Sequence, residues 1–148
     1  MDEHRYDSLK LENQVCFPLY AAAKEIVRRY REPLDELDLT YTQYIAMMVL
    51  WEKRCLSVKE LGEKLYLDSG TLTPVLKSLE AKGYIRRHRC ESDERVLLAE
   101  LTEEGLALRD RALSVPPQVA CCVKLAPDEG IELYQLLYKL LDGMEDRP

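Results

Sequence analysis

Cysteine is the residue type in this sequence best suited to chemistry, and it occurs at positions 16, 55, 90, 121 and 122. A thiolate is a nucleophile and a redox centre, although a cysteine on an apolar helical face is more often a small buried hydrophobe. Cys16 falls on such a face of a predicted helix, and Tyr20 lies one turn along it. Because a phenolic donor stabilises a thiolate over a thiol, Cys16 is the candidate redox centre.

The remaining cysteines and histidines form no metal-binding pattern. The sequence contains no C-x-x-C pair, and its histidines are His4 and His88. Structural zinc sites take four such ligands at short, regular spacings. The sequence therefore predicts no metal and no cofactor, and the odd number of cysteines does not suggest a disulfide scaffold.

The stretch from Ser57 to Leu101 organises the chain. Ser57 and Glu60 form a capping box that begins one helix, and Leu72, Val75, Leu76 and Leu79 mark the buried face of a second. Gly83 is expected to stop that second helix, and Pro74 is expected to lie near its first turn. Two strands follow, Tyr84 to Arg89 and Val96 to Leu101, joined by a charged tip. This order predicts a winged helix-turn-helix.

The outward residues of the second helix and the wing are those that would contact DNA. Small hydroxyls and a lysine suit close approach to a groove and its phosphates, whereas an arginine on a hairpin tip suits a narrow minor groove. The candidate DNA contacts are Ser69, Thr71, Thr73, Lys77, Ser78, Arg86, Asp93 and Arg95, with Asp93 expected to orient Arg95.

The charge distribution agrees with this interpretation although the whole chain carries a net charge of −6. Between Lys53 and Arg95 there are ten Lys/Arg and seven Asp/Glu, whereas the rest of the chain has eleven Lys/Arg and twenty Asp/Glu. Relative positive charge thus falls on the segment that would meet phosphates. A winged helix that binds proteins instead of DNA remains compatible with the net charge.

The first third of the chain is predicted to be helical. Residues 9–31 have the helical period, although Pro18 should kink that helix unless the helix begins there. The sequence Arg31-Glu32-Pro33 should end it, and a short helix from Leu34 to Leu37 should follow. Thr40 or Thr42 should cap a helix from Tyr44 to Trp51, with Gln43 available to the cap and Trp51 packed in the core.

The last third is predicted to form two further helices. One opens at Thr102 and runs to about Ser114, where Pro116-Pro117 must break or kink it, and the last begins at Pro127. That last helix is apolar around most of its circumference, which indicates burial against a partner. We therefore expect a homodimer formed by the N- and C-terminal helices.

The fold class predicted from these elements is mostly α with a small two- or three-stranded antiparallel β wing. The length of 148 residues indicates a single domain. Within it, residues 40–101 would be the winged helix DNA-binding region, and residues 1–39 and 102–148 the dimerisation region. No apolar run approaches the ~20 residues that span a bilayer, and the charged N-terminus lacks a signal peptide, so a cytoplasmic protein without a membrane partner is expected.

Two segments resemble a known family. LGEKLYLDSGTLTPVLKSLEAKGYIRR, followed by SDERVLLAELTEEG, resembles the MarR family of winged-helix transcription regulators. LYLDSGTLTP and the N-terminal LENQVCFPLYA resemble its organic hydroperoxide-sensing, OhrR-type branch. The resemblance implies a repressor that binds a pseudo-palindromic double-stranded DNA operator as a homodimer and leaves it on oxidation by organic hydroperoxides.

The resemblance also implies roles for individual residues. Cys16 would be the redox sensor, which an organic peroxide oxidises to a sulfenic acid. Tyr30 and Tyr41 would hydrogen-bond it across the dimer, in addition to Tyr20 on its own helix. In some relatives a small thiol then reacts with the sulfenic acid, and in others a second cysteine of the partner subunit does so, a role open here to Cys121 or Cys122.

Two alternatives remain at this point. A MarR-type repressor could be released by a small aromatic ligand without cysteine chemistry, with Cys16 lining the pocket. A cysteine-dependent, peroxidase-like enzyme is the other, but the sequence has no C-x-x-C, no phosphate loop and almost no histidine to act as a base.

Overall fold

The computed structural model describes residues 3–144 of the chain. Its helices and strands follow in the order α1 (Cys16–Arg29), α2 (Arg31–Asp35), α3 (Tyr41–Lys53), β1 (Cys55–Ser57), α4 (Val58–Leu65), α5 (Ser69–Ala81), β2 (Ile85–Arg89), β3 (Leu97–Leu101), α6 (Glu103–Ala112), α7 (Val115–Ala120) and α8 (Pro127–Asp142). This is the predicted mostly α fold with a small antiparallel wing.

The N-terminal helix begins not at residue 9 but close to Pro18, as the alternative prediction had it. Residues 9–15 are not α-helical, because two short 3₁₀ turns, Asp7–Leu9 and Leu11–Asn13, precede α1. Pro18 is the third residue of α1, where its missing N–H would have had no partner within the helix, so it causes no break. Pro33 is likewise the third residue of α2, where its missing N–H would have had no partner within the helix. Helix α2 begins at Arg31, so the predicted start at Leu34 is wrong.

Helix α3 is fixed at its start by the predicted cap. Thr40 Oγ1 accepts from Gln43 N, and Gln43 Oε1 accepts from Thr40 N, which completes a capping box. The helix begins at Tyr41, three residues before the predicted start. Trp51 is buried in the core and donates from Nε1 to the carbonyl of Gly105 at 2.8 Å, which confirms that it packs.

Helices α4 and α5 form the helix-turn-helix. The capping box of Ser57 and Glu60 is present at the start of α4, and Tyr66, at φ 56°, adopts the left-handed conformation in the turn. Asp68 caps α5. The expectation that Pro74 lies near the first turn is wrong, because α5 begins at Ser69 and Pro74 is its sixth residue.

Gly83 stops α5 as predicted. It has φ +82°, its N–H reaches the carbonyl of Glu80, and the N–H of Tyr84 reaches the carbonyl of Leu79. These two bonds are those of a Schellman motif, whose left-handed residue is normally glycine.

The sheet has three antiparallel strands in the order β1-β3-β2. Ile85 pairs with Leu101 and Arg89 with Leu97, so β2 and β3 form the predicted hairpin wing. Strand β1 adds a third strand, with Leu56 paired to Ala99. The sheet therefore ties the segment before α4 to the segment before α6.

The C-terminal third follows the predicted breaks. Thr102 caps α6, which ends at Ala112, and Pro116 and Pro117 lie in the first turn of the separate helix α7. Helix α8 begins at Pro127 as predicted.

The core is formed by α2 to α7 and the sheet, and excludes both end helices. Leu34, Met47, Leu50, Leu61, Leu76 and Ile85 are among its fully buried side chains. Neither α1 nor α8 contains a buried residue in the single chain. Among residues 3–144, no helix is both long and apolar enough to cross a membrane.

Candidate functional site

The outward face of α5 carries three exposed candidates for DNA contact, Ser69, Thr71 and Lys77. The opposite face of the helix is buried through Leu72, Val75, Leu76 and Leu79. Since the apolar face is committed to the core, the exposed face is presented as one surface.

The structure changes the interpretation of the two other α5 candidates. Thr73 is half-buried, and its hydroxyl donates to the carbonyl of Ser69 at 2.7 Å. The prediction that Ser78 faces outward is wrong, because it is half-buried and its Oγ accepts from Nε2 of Gln43 in α3 at 2.9 Å. The pattern of hydroxyl residues in the sequence could not distinguish Ser78 from Ser69. Ser78 differs because Gln43 of α3 lies beside it, whereas Ser69 is exposed.

The wing tip contains the predicted pair. Arg95 is 91% exposed at its side chain, and its Nε donates to Asp93 Oδ1 at 3.1 Å. The backbone N–H of Arg95 donates to the same oxygen at 3.1 Å. These bonds from Arg95 lower the pKa of the Asp93 carboxyl, so Asp93 stays ionised and holds the guanidinium at the tip.

Two other arginines of the wing, Arg86 and Arg87, are engaged within the protein. Arg86 lies 3.4 Å from Glu100, and the same Glu100 oxygen lies 3.0 Å from His88 Nε2. Arg87 turns towards α5, where its backbone N–H and its guanidinium both bond the carboxylate of Glu80. Of Arg86, Arg87 and Arg95, Arg95 therefore has the most exposed side chain, at 91% against 70% and 19%.

Cys16 is exposed and is the first residue of α1. Within residues 3–144, no hydrogen bond joins its Sγ to another residue. Tyr20 lies one turn on, but its ring faces the ammonium of Lys24 at 5.3 Å. The structure therefore does not bring Tyr20 and Cys16 into a hydrogen bond within one chain.

Tyr30 and Tyr41 come together at the far end of α1. Their ring centroids are 4.9 Å apart, and the ring of Tyr44 lies 5.7 Å from that of Tyr30. Burial raises the pKa of all three phenols, which keeps them protonated as hydrogen-bond donors. Sequence reasoning missed Tyr44, although its position three residues after Tyr41 in a helix places both on one side.

A groove of about 910 Å³ runs beside this tyrosine cluster. Tyr20, Lys24, Arg28, Tyr30, Leu34 and Tyr41 are among the residues that line it. Its wall therefore combines aromatic rings with cationic side chains.

Cys16 cannot reach the tyrosine cluster of its own chain. The fourteen residues from Cys16 to Tyr30 follow the helix axis of α1, which at 1.5 Å per residue separates them by roughly 21 Å. A contact between the thiol and these phenols requires a second chain.

The remaining cysteines differ in their surroundings. Cys121 and Cys122 are both exposed after α7, and their thiols lie 3.0 Å and 3.8 Å from the carbonyl oxygen of Gln118. Cys90 is half-buried at the wing, where a hydrogen bond with the Ser92 hydroxyl lowers the pKa of its thiol. Cys55 is exposed on β1. In the described part of the chain, no group of three or more His, Cys, Asp or Glu side chains is placed to hold a metal ion.

Comparison with known proteins gives consistent matches. A family model described as transcriptional regulator SarA/Rot matches residues 25–111. A Bacillus subtilis (strain 168) protein named organic hydroperoxide resistance transcriptional regulator is 45% identical, over 98% of this chain and 99% of its own length.

Two solved structures of AbfR, a Staphylococcus epidermidis protein, share the fold. Reduced AbfR bound to DNA is 31% identical, with a TM-score of 0.76 over 95% of this chain and 98% of that one. Disulfide-formed AbfR is 32% identical, with a TM-score of 0.64 over 95% and 99%.

Proposed function

The chain belongs to the MarR family of winged-helix transcription regulators, in the branch of organic hydroperoxide resistance regulators, and from this premise we propose that it represses transcription until an organic hydroperoxide oxidises Cys16. Its relatives are regulators and its fold is that of DNA-binding regulators, which excludes the alternative of a peroxidase-like enzyme. The observation that carries the proposal is the exposed Cys16 thiol at the first position of α1.

DNA binding would use α5 and the wing. Helix α5 enters a major groove with Ser69, Thr71 and Lys77 towards bases and phosphates, and Arg95 enters the neighbouring minor groove. A relative of the same fold that has been solved bound to DNA supports DNA as the partner. Two such units in a homodimer read half-sites about one helical turn apart, which fits a pseudo-palindromic operator.

The dimer would be formed by the two helices that the core leaves uncovered. Ile131, Tyr134 and Leu136 of α8 are each more than half exposed, and Phe17 and Ile26 of α1 are also exposed. Exposed apolar faces of this extent normally mark an interface. Residues about 40–101 would then be the DNA-binding region, with dimerisation on either side of it.

The sensing reaction is a two-electron oxidation of Cys16. The thiolate sulfur attacks one oxygen of the peroxide bond, so an S–O bond forms and the O–O bond breaks. The alkoxide leaves and takes a proton to become the alcohol, and Cys16 becomes a sulfenic acid. In the dimer, Tyr30 and Tyr41 of one subunit donate hydrogen bonds to the thiolate of the other, since burial keeps both phenols protonated.

The sulfenic acid would then condense with a thiol and release water. Cys121 or Cys122 of the other subunit is suited to this step because both thiols are exposed, and the existence of a disulfide-formed relative supports disulfide chemistry on this fold. A strained intersubunit link of this kind would rotate the two α5 helices out of register with their half-sites, so both contacts would be lost together.

The groove beside Tyr30 and Tyr41 favours a second candidate function. Its aromatic wall, with the cationic Lys24 and Arg31 and the acidic Glu25 and Asp35, suits a small aromatic ligand, which would release the DNA without any cysteine chemistry.

Binding of the purified protein to its own promoter DNA, measured by fluorescence anisotropy before and after cumene hydroperoxide, tests both functions. The Kd of the wild type should rise at least about tenfold on oxidation, within the usual range of allosteric coupling. Cys16→Ser should bind the same DNA and ignore the peroxide, whereas the control Cys55→Ser should respond as the wild type does. A Cys16→Ser protein that still leaves the DNA with peroxide contradicts the sensor, and release by a small aromatic ligand alone supports the second function.

A further inference from the structure

Gln43 is the only buried polar side chain among the described residues, with 7% of its surface exposed. Both ends of its amide are bonded. Its Oε1 accepts from Thr40 N at 3.0 Å and from Lys82 Nζ at 3.2 Å, and its Nε2 donates to Ser78 Oγ at 2.9 Å. One buried amide thus joins the start of α3 to the last turns of α5.

The α5 partners of this amide lie next to the DNA-facing surface. Ser78 directly follows the exposed Lys77, and Lys82 is the residue that ends α5. Lys82 also donates to the carbonyl of Asp38 and lies 3.6 Å from its carboxylate. The end of α5 is therefore tied to the turn before α3 by several polar contacts.

The other side of the amide lies next to the tyrosine cluster. Tyr41 is the first residue of α3, between Thr40 and Gln43, and its ring contacts that of Tyr30 at 4.9 Å. The capping box fixes Gln43 rigidly to this helix start. Any movement that carries Tyr41 also carries the amide of Gln43.

We propose that Gln43 is a positioning residue that couples the tyrosine cluster to the DNA-reading helix. The inference rests on the proposed function, in which Tyr41 bonds the Cys16 thiolate of the partner subunit. When oxidation changes that bond and Tyr41 shifts, α5 must follow, because a buried amide that loses its partners is costly to the fold. Gln43 thereby converts a shift at the tyrosines into a shift of Lys77 on the DNA surface.

The test measures the ratio of the operator Kd after oxidation to the operator Kd before it. Gln43→Met keeps the side-chain volume and removes every polar contact, so the ratio should fall at least about fivefold towards one. Gln43→Glu should retain the wild-type ratio, since a carboxylate can accept from Thr40, Lys82 and the Ser78 hydroxyl. Lys82→Met removes the contacts of the α5 end with Gln43 and Asp38, leaves the bond to Ser78, and should also lower the ratio. Thr42→Val, which alters the same helix start without touching α5, is the matched control.

Formation of the sulfenic acid at Cys16, followed with a sulfenic-acid-specific label, should proceed at the wild-type rate in every variant. A merely structural role for Gln43 would raise both Kd values together and leave their ratio unchanged. If Gln43→Met shows the wild-type ratio of the two Kd values, the inference is overturned. If Gln43→Met does not fold, a wild-type ratio in Lys82→Met overturns it instead. A ratio near one in the wild type itself overturns the proposed function, and the coupling role with it.

Discussion

A single carboxylate positions the cation that the wing presents. Asp93 bonds both the side chain and the backbone of Arg95, while Arg95 itself is almost fully exposed. An exposed ion pair of this kind adds little to stability. The ion pair instead orients the guanidinium of Arg95 at the tip before DNA binds. The side chain therefore loses less conformational freedom on binding.

Arg95→Ala should therefore weaken binding of the reduced protein to its operator by about tenfold and lower the slope of log K against log salt by about one. Arg86→Ala is the matched control, since Arg86 is already paired with Glu100 and should have a smaller effect. Anisotropy titrations at several KCl concentrations measure both quantities. Equal losses in the two variants would contradict the assignment of Arg95 to the groove.

Helix α6 is held against the sheet by a position that admits only glycine. A Cβ on Gly105 would lie 2.1 Å from the carbonyl oxygen of Tyr84 and 2.8 Å from Cδ1 of Leu101. The carbonyl of Gly105 also accepts from Trp51. The start of α6 therefore packs directly on Tyr84, just before β2, on the end of β3 and on α3, which sets the direction in which the chain leaves the wing.

Gly105→Ala should lower the free energy of unfolding by about 1–3 kcal/mol, the usual range for overpacking a rigid site. Gly143→Ala is the control, because its nearest contacts for a Cβ are ordinary ones at 3.6 Å, and its effect should stay within about 0.5 kcal/mol. Urea unfolding followed by circular dichroism measures both. If the free energy of unfolding of Gly105→Ala equals that of the wild type, α6 can move away from the sheet at little cost, and the prediction is contradicted.

Elements were predictable where their determinants are local. The capping box of Ser57, the cap of Thr40 and the stop at Gly83 each depend on residues within a few positions, and all three are present. The helical period from residue 9 did not reveal the 3₁₀ turns before α1, although Pro18 indicated the later start. The direction of Ser78 was predicted wrongly, because its partner Gln43 comes from another helix. The assembly of Tyr30, Tyr41 and Tyr44 also depends on how α1, α2 and α3 meet.

At the scale of the whole molecule, the two end helices are apolar and lack a covering surface in the single chain. Tyr134 and Ile131 of α8 are 63% and 60% exposed, and α1 adds Tyr20 and Leu19 to the exposed apolar residues. A second copy of the chain would cover these faces, and it would also bring the Cys16 of one chain to the tyrosines of the other.

Leu136→Glu should give a monomer at micromolar concentration in sedimentation velocity, because a carboxylate would be buried without a partner in the interface. Its operator affinity should fall about 100-fold or more, since the linkage of two half-site contacts is lost. Met48→Glu, a change of an exposed residue on α3, is the control and should remain dimeric. A dimeric Leu136→Glu protein would show that α8 is not the interface.

The roughly 21 Å of helix between Cys16 and Tyr30 has a consequence for genetics. Each sensing site in the proposed dimer takes its thiol from one polypeptide and its phenols from the other. A cell carrying one allele without Cys16 and another without Tyr30 would still assemble mixed dimers with one intact site. Two inactive alleles would then complement each other. Alleles of a protein whose site lies within one chain would not.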